Sequence, residues 1–472
     1  MKKINYKILV TFVLSILLLF ACEDRTELTA PEKANTGDVD FSRFVTIGNS
    51  LTHGEQSAAV FESAQEYSFG NQIAKQVGAK YEQSIFSDPG TGGRLEVKSV
   101  APFSITANPN KGVPTNLNYP ALYNNLGVKW AFIYDALYAR DSSSCFTAQF
   151  GFPNPLFNVV LRGKGTQFEE AKMQKPTVLT FWLGNNDILA HATRGGTMPY
   201  TPELTFSFLY KQAMDSLETL KNNFGTKIIV ANIPSVTSVP FFTTVGPAVG
   251  ASLKDIQAQV PTVKGLVYQT TNSPFIDVAT PEQLIKGEAL LTLDASAAAK
   301  LIGDKTGAYY SIFGIPVPDN VNTAYPFGLT PENPWPNKFI LDPAEIANIA
   351  NVIASYNATI SALAEAKGFA LVDVNSFLNG VATNNYQTNG ITFTSKYVEG
   401  GLFSLDGIHP TSQGYAIIAN LFIETINKKN NAEIPKVNVA TVPGSLTLAK
   451  KVIFDKYGIP NLAPNALAKF IY

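Results

Sequence analysis

A serine directly after a strand-like apolar segment is the first residue of this sequence that could act as a nucleophile. The stretch FVTIGNSLTHG, residues 44–54, places Ser50 just beyond Gly48, where the apolar run stops. A serine hydroxyl is a weak nucleophile at neutral pH, and it needs a neighbouring base to accept its proton. The chain holds three histidines that could supply this base: His53, His191 and His409.

The stretch DGIHPTSQGY contains the histidine best suited to this role. Asp406 precedes His409 by three residues, so a single turn can bring both side chains toward one site. A carboxylate beside a histidine holds the imidazole in the tautomer and orientation that proton transfer requires. His53 and His191 are expected to be ordinary loop residues, although His53 is close enough to Ser50 in sequence to merit a control mutation.

The stretch LGNNDIL supplies a neutral hydrogen-bond donor for a developing oxyanion. Asn186 follows a predicted buried strand, and sites in open α/β sheets lie beyond the carboxyl ends of the strands. Each residue also has a plainer interpretation. Ser50 could cap a helix, and Asn186 with Asp187 could satisfy the backbone of a turn. His409 could pair with Asp406 for structure alone, but the three stretches together favour catalysis.

Apolar runs alternate with helical patterns along the chain and indicate an α/β fold with a parallel sheet. Buried strands are predicted over residues 44–48, 176–184, 226–234 and 369–374. Helices are predicted over residues 204–225, 342–368 and 411–429, with helical spacing over 63–79 and a short helix over 446–458. Asp342 and Glu345 form a capping box at the start of the second of these helices.

The N-terminus has the layout of a secretory signal, predicted over residues 1–21. A basic start precedes an apolar run of about 13 residues, which is too short to span a bilayer comfortably. The stretch LFAC resembles a bacterial lipobox, in which the cysteine, here Cys22, is lipidated. An ordinary cleaved signal with an incidental cysteine is the alternative. Residues 22–40 are polar and predict a tether, whose acidic start resembles export signals of surface lipoproteins in Bacteroidetes-type bacteria.

Composition and charge exclude several classes of function. The 472 residues are 45% hydrophobic and 15% charged, which is typical of a globular protein with a large core. The net charge is −1 and no basic tract occurs, so nucleic-acid binding is not expected. Cysteines and histidines form no cluster, so neither a catalytic metal nor another cofactor is expected. Cys145 is expected to be a small buried side chain.

The stretches around the candidate residues resemble, in order, the motif blocks of the SGNH/GDSL hydrolase family. GNSLT resembles the first block, GNND the third and DGIHP the fifth. The resemblance implies a flavodoxin-like three-layer α/β/α sandwich with a central parallel sheet, over residues 41–430. Two aromatic-rich segments, 94–165 and 238–341, are interpreted as large insertions on its loop side. Residues 431–472 would form a C-terminal extension.

The resemblance also implies roles for individual residues. Ser50 would be the nucleophile, His409 the base and Asp406 the carboxylate that orients it. The oxyanion hole would combine the Ser50 backbone N–H, the Asn186 side chain and a glycine of the second block. SDPGTGGR is the candidate for that block, with Gly90 as the chosen donor and Gly92 close behind. Asn49 replaces the usual aspartate beside the serine, which should leave the triad intact.

These features predict a serine ester hydrolase, of esterase, lipase or carbohydrate acetylesterase type, acting outside the cytoplasm. Its substrate would be an acylated glycan or a lipid, and its lipid anchor would hold it in the cell envelope at the outer membrane, with surface exposure left open. The alternative is a non-catalytic, glycan- or lipid-binding surface lipoprotein on the same scaffold. A structural component of an outer-membrane assembly is a third interpretation. The aromatic side chains of the insertions could line an acyl or glycan site or serve for packing.

Overall fold

The strands form one central parallel sheet and several small sheets. The computed structural model describes residues 34–271, 275–444 and 452–467, so Cys22 lies outside the described residues. In chain order the strands are β1 (Phe44–Gly48), β2 (Leu95–Val100), β3 (Phe103–Ala107), β4 (Val178–Trp182), β5 (Lys227–Ala231), β6 (Leu266–Gln269), β7 (Ile276–Ala279), β8 (Leu290–Leu291), β9 (Ile340–Leu341), β10 (Ala370–Val372), β11 (Tyr386–Thr388), β12 (Ile391–Phe393) and β13 (Asn461–Leu462). The central sheet has the strand order β1-β4-β5-β10, and each pair of neighbouring strands in it is parallel. The predicted parallel sheet is thereby confirmed.

Helices cover both faces of this sheet. In chain order they are α1 (Ser50–His53), α2 (Glu62–Gln65), α3 (Phe69–Val77), α4 (Ile133–Tyr138), α5 (Leu156–Leu161), α6 (Gln167–Gln174), α7 (Asn186–Thr193), α8 (Glu203–Phe224), α9 (Pro240–Thr243), α10 (Val245–Gln259), α11 (Pro281–Lys286), α12 (Ser296–Ala299), α13 (Ala308–Phe313), α14 (Pro343–Ala366), α15 (Val374–Asn384) and α16 (Ser412–Asn430). Short 3-10 turns occur at Phe146–Phe150, Val236–Ser238, Leu293–Ala295, Asn337–Phe339 and Val439–Thr441.

Two consecutive residues of β4 define the two helical layers. The ring of Trp182 packs against Phe69 of α3 and Phe422 of α16. The ring of Phe181 packs against Tyr210 of α8 on the other side. Because successive side chains of a strand point to opposite faces, α3 and α16 form one layer and α8 lies in the other. The α/β/α sandwich is therefore confirmed.

Local sequence signals account for the ends of the long helices. The Asp342 side chain accepts a hydrogen bond from the Glu345 backbone N–H at 2.8 Å, and the Glu345 side chain accepts one from the Asp342 N–H at 3.0 Å. This is the predicted capping box at the start of α14. Thr411 caps α16 by accepting the Gly414 N–H at 3.0 Å. Gly225, at a left-handed φ of 69°, ends α8.

Two segments differ from their predicted helices. The helical pattern over residues 63–79 is split into α2 and α3, because the side-chain amides of Asn71 and Gln72 bond the carbonyls of Glu66 and Tyr67. These carbonyls are then satisfied without a continuous helix. The described part of segment 446–458, from residue 452 onward, is not helical, since the backbone of Ile453 hydrogen-bonds beside the β2–β3 hairpin.

Part of the first predicted insertion extends the central sheet. Asn125 forms a parallel bridge with Thr46, and the backbone N–H groups of Leu126 and Val128 donate to carbonyls of β1. Segment 124–128 thus runs along the outer edge of β1, although sequence patterning placed it among the loops. This pairing brings the residues after Val128 to the carboxyl end of the sheet, beside the loop that follows β1.

The part of the chain that the structure describes contains no helix that is both long and apolar enough to cross a membrane.

Candidate active site

Ser50 stands at the carboxyl end of β1, as the first residue of the short helix α1. Asn49 caps this helix, because its side-chain oxygen accepts the Leu51 N–H at 3.1 Å. A neutral amide oxygen is sufficient for this cap, which explains how asparagine can replace aspartate here. The Ser50 amide belongs to the first turn of the helix, where N–H groups have no partner within the helix itself.

Ser50, His409 and Asp406 converge in one hydrogen-bonded chain. The Ser50 Oγ lies 2.9 Å from His409 Nε2, and His409 Nδ1 lies 3.0 Å from Asp406 Oδ2. The other oxygen of Asp406 accepts the backbone N–H groups of Ile408 at 2.9 Å and His409 at 2.8 Å. These bonds fix the carboxylate, so the imidazole is held with one nitrogen toward the carboxylate and the other toward the serine.

Burial and charge compete at this histidine. Burial opposes protonation of His409, but the carboxylates of Glu55 and Asp406 outweigh burial and raise its pKa above the ordinary 6.5. Burial likewise opposes ionisation of Asp406, yet His409 and the backbone donors hold the pKa of Asp406 below its usual value. The site therefore combines an ionised carboxylate with an imidazole of increased basicity, as a general base requires.

Asn186 faces the same pocket as Ser50 and His409. It begins α7, immediately after β4, and its side-chain Nδ2 donates to the Ala131 carbonyl at 2.9 Å. An amide NH₂ has two hydrogens, so this bond leaves one donor for a ligand in the pocket. The pocket is small, about 60 Å³, and most of its lining is apolar, including Leu51, Trp182, Leu189, Phe377, Leu378 and Ile408.

Gly90 is not brought to this pocket. Its N–H donates to the Ser87 carbonyl at 2.9 Å, and a Cβ at this position would lie 2.2 Å from the Val60 carbonyl oxygen. The glycine is thus needed for close backbone packing, at a left-handed φ of 96°. Gly92 packs against Lys111 instead. The structure gives no support to either glycine as an oxyanion donor.

The other two histidines are directed elsewhere. His53 Nε2 lies 3.0 Å from the Ser84 hydroxyl, and complete burial lowers the pKa of His53 to about 3. His191 Nδ1 contacts the Met198 carbonyl. Cys145 is buried, as predicted. His53 and Ser84 form a second serine–histidine pair in this chain, and its depth in the core makes it a natural control for the first.

Sequence reasoning missed a buried ion pair beside the imidazole. Glu55 Oε2 lies 3.5 Å from His409 Nε2, and Glu55 Oε1 lies 2.7 Å from the Nζ of Lys129. Side-chain exposure is only 1% for Glu55 and 7% for Lys129, so both charges have left water. Glu55 directly follows the first motif stretch, five residues after Ser50, whereas Lys129 had no sequence signal.

Glu55, Asp406 and His409 also offer the ligand types that a metal ion could bind. Ligand atoms of Glu55, Asp406 and His409 lie within 4.8 Å of one another. The Lys129 ammonium already neutralises Glu55, and both ring nitrogens of His409 face hydrogen-bond partners. A cation would have to displace the ammonium and break the contact with Ser50, so the donor set suits proton transfer better than metal binding.

A second cavity lies on the other side of α7. Asn186 and Leu189 face the small pocket, whereas Asp187 and Ala190 face a cavity of about 610 Å³. Aromatic residues of the first insertion line this cavity: Phe132, Tyr134, Phe146, Phe150 and Phe152. Aromatic residues of the second insertion are instead buried against one another: Tyr309, Phe327, Trp335 and Phe339. The aromatic side chains of the first insertion therefore line a cavity, whereas those of the second insertion pack against one another.

A comparison with known families agrees with this geometry. Residues 317–422 match the family model of GDSL-like lipases/acylhydrolases, and the matched range includes Asp406 and His409. Over this range the chain is similar to the GDSL hydrolases. No curated protein matches the chain.

Two solved structures are similar to this chain at low sequence identity. One is described as a GDSL-like lipase from Parabacteroides merdae ATCC 43184 and is 11% identical in sequence, with a TM-score of 0.32. The match covers 83% of this chain and 99% of that chain. Another is an α/β hydrolase enzyme from the metagenome of Lake Arreo, Spain, with 14% identity, a TM-score of 0.31, and coverage of 83% and 98%.

Proposed function

We propose that this protein is a serine ester hydrolase with Ser50 as its nucleophile. The observation that carries the proposal is the hydrogen-bonded chain from the Ser50 hydroxyl through His409 to Asp406. The match of residues 317–422 to the family model of GDSL-like lipases/acylhydrolases supports the same reaction class. Acyl transfer is the chemistry that a serine, an imidazole and a carboxylate in this order perform on several unrelated folds.

The proposed reaction has two acyl-transfer steps. Ser50 Oγ attacks the ester carbonyl carbon while His409 Nε2 accepts the hydroxyl proton, and Asp406 stabilises the imidazolium. The tetrahedral intermediate collapses, and the alcohol leaves with the proton held by His409. Water then attacks the acyl-enzyme, gives a proton to His409 and releases the acid, after which the proton returns to Ser50.

Two donors are proposed for the oxyanion. The Ser50 backbone N–H lies in the first turn of α1, and the Asn186 side chain faces the same pocket. Donors that are fixed before the reaction stabilise the charge that appears on the carbonyl oxygen without having to reorganise. Asn186 is fixed in this way by its bond to the Ala131 carbonyl.

The pocket beside the nucleophile favours a short acyl group. Its volume of about 60 Å³ and its apolar walls suit an acetyl or similar chain rather than a long fatty-acyl chain. Bulky side chains close it, including Trp182 from the sheet and Phe377 from α15. We therefore propose short-chain esters, such as acetylated sugars, as the substrate class, with lipid esters as the second candidate.

We also propose that the enzyme acts in the cell envelope, held there by a lipid on Cys22. The support is the sequence alone, namely the basic and apolar start and the lipobox-like LFAC. Metabolic labelling with an alkyne fatty acid in a bacterial host should mark the wild-type protein and leave Cys22→Ala unmarked. Equal labelling of both proteins would contradict this anchor.

The experiment that tests the activity combines a covalent probe with a substrate panel. A fluorophosphonate should label the wild-type protein and Ser84→Ala, which alters the buried second pair, but not Ser50→Ala. Turnover of p-nitrophenyl acyl esters and acetylated sugars should follow the same pattern. Folded wild-type protein that neither labels nor turns over any ester would favour the non-catalytic binding lipoprotein. Stable co-purification with envelope proteins would favour the structural component.

A further inference from the structure

The buried pair of Glu55 and Lys129 stands directly behind the proposed catalytic base. The Ser50 Oγ lies 2.9 Å from His409 Nε2, and the Glu55 Oε2 lies 3.5 Å from the same nitrogen. The imidazole therefore lies between two carboxylates, with Asp406 at Nδ1 and Glu55 at Nε2. The family motif accounts for Asp406 and leaves Glu55 unexplained.

Both members of the pair are fixed by the same elements that build the site. The Glu55 N–H donates to the Ser50 carbonyl at 3.0 Å, and its own carbonyl accepts the Tyr415 hydroxyl at 2.7 Å. Lys129 Nζ donates to the Ala58 carbonyl at 2.8 Å, while the Ala58 N–H donates to Asp406 Oδ2 at 2.7 Å. The backbone of Ala58 thus links the Lys129 ammonium to the Asp406 carboxylate, which orients His409.

Stability alone does not explain why Glu55 and Lys129 are buried as charges, because ion pairs in the interior seldom increase stability over apolar side chains of similar size. An isolated Glu55 carboxylate at this distance would keep His409 protonated, and a protonated imidazole cannot accept the serine proton. Lys129 counters that effect. When the proton reaches Nε2 during acyl transfer, the Glu55 oxygen is already in place to stabilise the imidazolium.

We propose that Glu55 and Lys129 are positioning residues that act together through His409: Glu55 favours the imidazolium formed during the reaction, and Lys129 limits this effect so that the resting imidazole can still lose its proton. The catalytic part of this inference, the effect of the pair on acyl transfer, rests on the proposed function. Its electrostatic part concerns His409 alone and can be measured without any substrate.

Several other groups face the imidazole or its partners, and they define the background of the test. Asp406 comes from the same loop as His409, Glu55 from the loop after α1, and Lys129 directly follows segment 124–128. The hydroxyls of Tyr415 and Tyr397 bond the carbonyls of Glu55 and Leu405, and burial raises the pKa of both tyrosines, so they stay neutral.

The test is an NMR titration of the His409 ring, which is assignable because the chain has three histidines. In Glu55→Gln the Lys129 ammonium is left unbalanced, and the His409 midpoint should fall by about one pH unit. In Glu55→Gln with Lys129→Met both charges are gone, and part of that fall should be recovered. Lys367→Met removes the partner of Asp215 and Glu218 at the opposite end of the sheet, and it should leave the midpoint unchanged.

The acidic limb of kcat/KM should move with the NMR midpoint in each variant. An unmoved midpoint in Glu55→Gln, or a double variant that stays at the Glu55→Gln value, overturns the inference and makes the pair merely structural. Such a pair would alter the melting temperature and nothing else. A shifted midpoint in a protein without Ser50-dependent turnover would instead contradict the proposed function alone.

Discussion

The hydroxyl oxygen of Ser50 lies 2.9 Å from Nε2 of His409, although the two residues stand 359 positions apart in the chain. Ser50 follows the first strand of the central sheet, and His409 precedes the last long helix. The parallel order of the strands makes this meeting possible, because their carboxyl ends all open onto one edge of the sheet. The predictions below follow from that contact and its surroundings.

Asp406→Asn should lower kcat by about 10⁴-fold while the protein stays folded. An amide at this position cannot hold His409 in the required tautomer or stabilise its imidazolium, although an oxygen remains to accept the N–H groups of Ile408 and His409. Steady-state kinetics on a p-nitrophenyl ester would measure the loss. Asp342→Asn, which alters the cap of α14, a helix with no residue in the pocket lining, is the control. A loss as small as that of the control would remove Asp406 from the mechanism.

Asn186→Ala should lower kcat by about 10²–10³-fold with a much smaller change in KM. The amide stabilises charge that appears mainly in the transition state, so ground-state binding depends on it little. Asn185→Ala is the matched comparison, because this neighbouring asparagine lines the same pocket and neither of its amide atoms has a hydrogen-bond partner in the described residues. If Asn185→Ala lost as much turnover as Asn186→Ala, the donor would be wrongly assigned.

The acidic limb of the kcat/KM profile should lie above pH 6.5. The carboxylates of Glu55 and Asp406 raise the pKa of His409 despite its burial, so the inactive imidazolium persists to a higher pH than in a free histidine. Activity should thus increase as the pH rises through this range and the imidazole loses its proton. Rates measured from pH 5 to 9 would show the limb, and a midpoint at or below 6.5 would contradict the proposed charge balance.

His53→Asn should affect stability, whereas His409→Asn should abolish turnover. His53 is buried, its pKa is lowered to about 3, and its ring faces Ser84 rather than Ser50. The variant leaves the Ser84 hydroxyl without the ring nitrogen, so a lower melting temperature is expected with kcat close to that of the wild type. Thermal melts and turnover measured on both variants would separate the roles. Loss of kcat in folded His53→Asn would show that the histidines had been assigned incorrectly.

Acyl chain length should discriminate between the two cavities. The small apolar pocket at Ser50 predicts that kcat/KM falls from p-nitrophenyl acetate through butyrate to palmitate. Phe377→Ala should widen this pocket and shift the preference toward butyrate. Phe150→Ala, which lines the larger cavity beyond α7, should leave the preference unchanged. A preference for palmitate that disappears in Phe150→Ala would instead assign the acyl chain to the larger cavity.

The sequence by itself determined the strands of the central sheet, the caps of the long helices, and the candidates Ser50, Asn186, Asp406 and His409. These features depend on local signals. Buried parallel strands are continuous apolar runs, capping boxes have fixed spacing, and catalytic groups follow the strand ends or precede a helix. The tertiary structure then showed that Ser50, His409 and Asn186 line one pocket and that Asp406 contacts His409, a result that spacing alone could only suggest.

Only the tertiary structure decided the details that depend on contacts between distant segments. Gly90 has the right type for an oxyanion donor, but its N–H is taken by the Ser87 carbonyl. Segment 124–128 lacks a strong strand pattern, yet it pairs with β1 and delivers Lys129 to Glu55. A buried ion pair between residues 74 positions apart has no periodicity that a sequence could show, because only folding brings the two charges together and removes them from water.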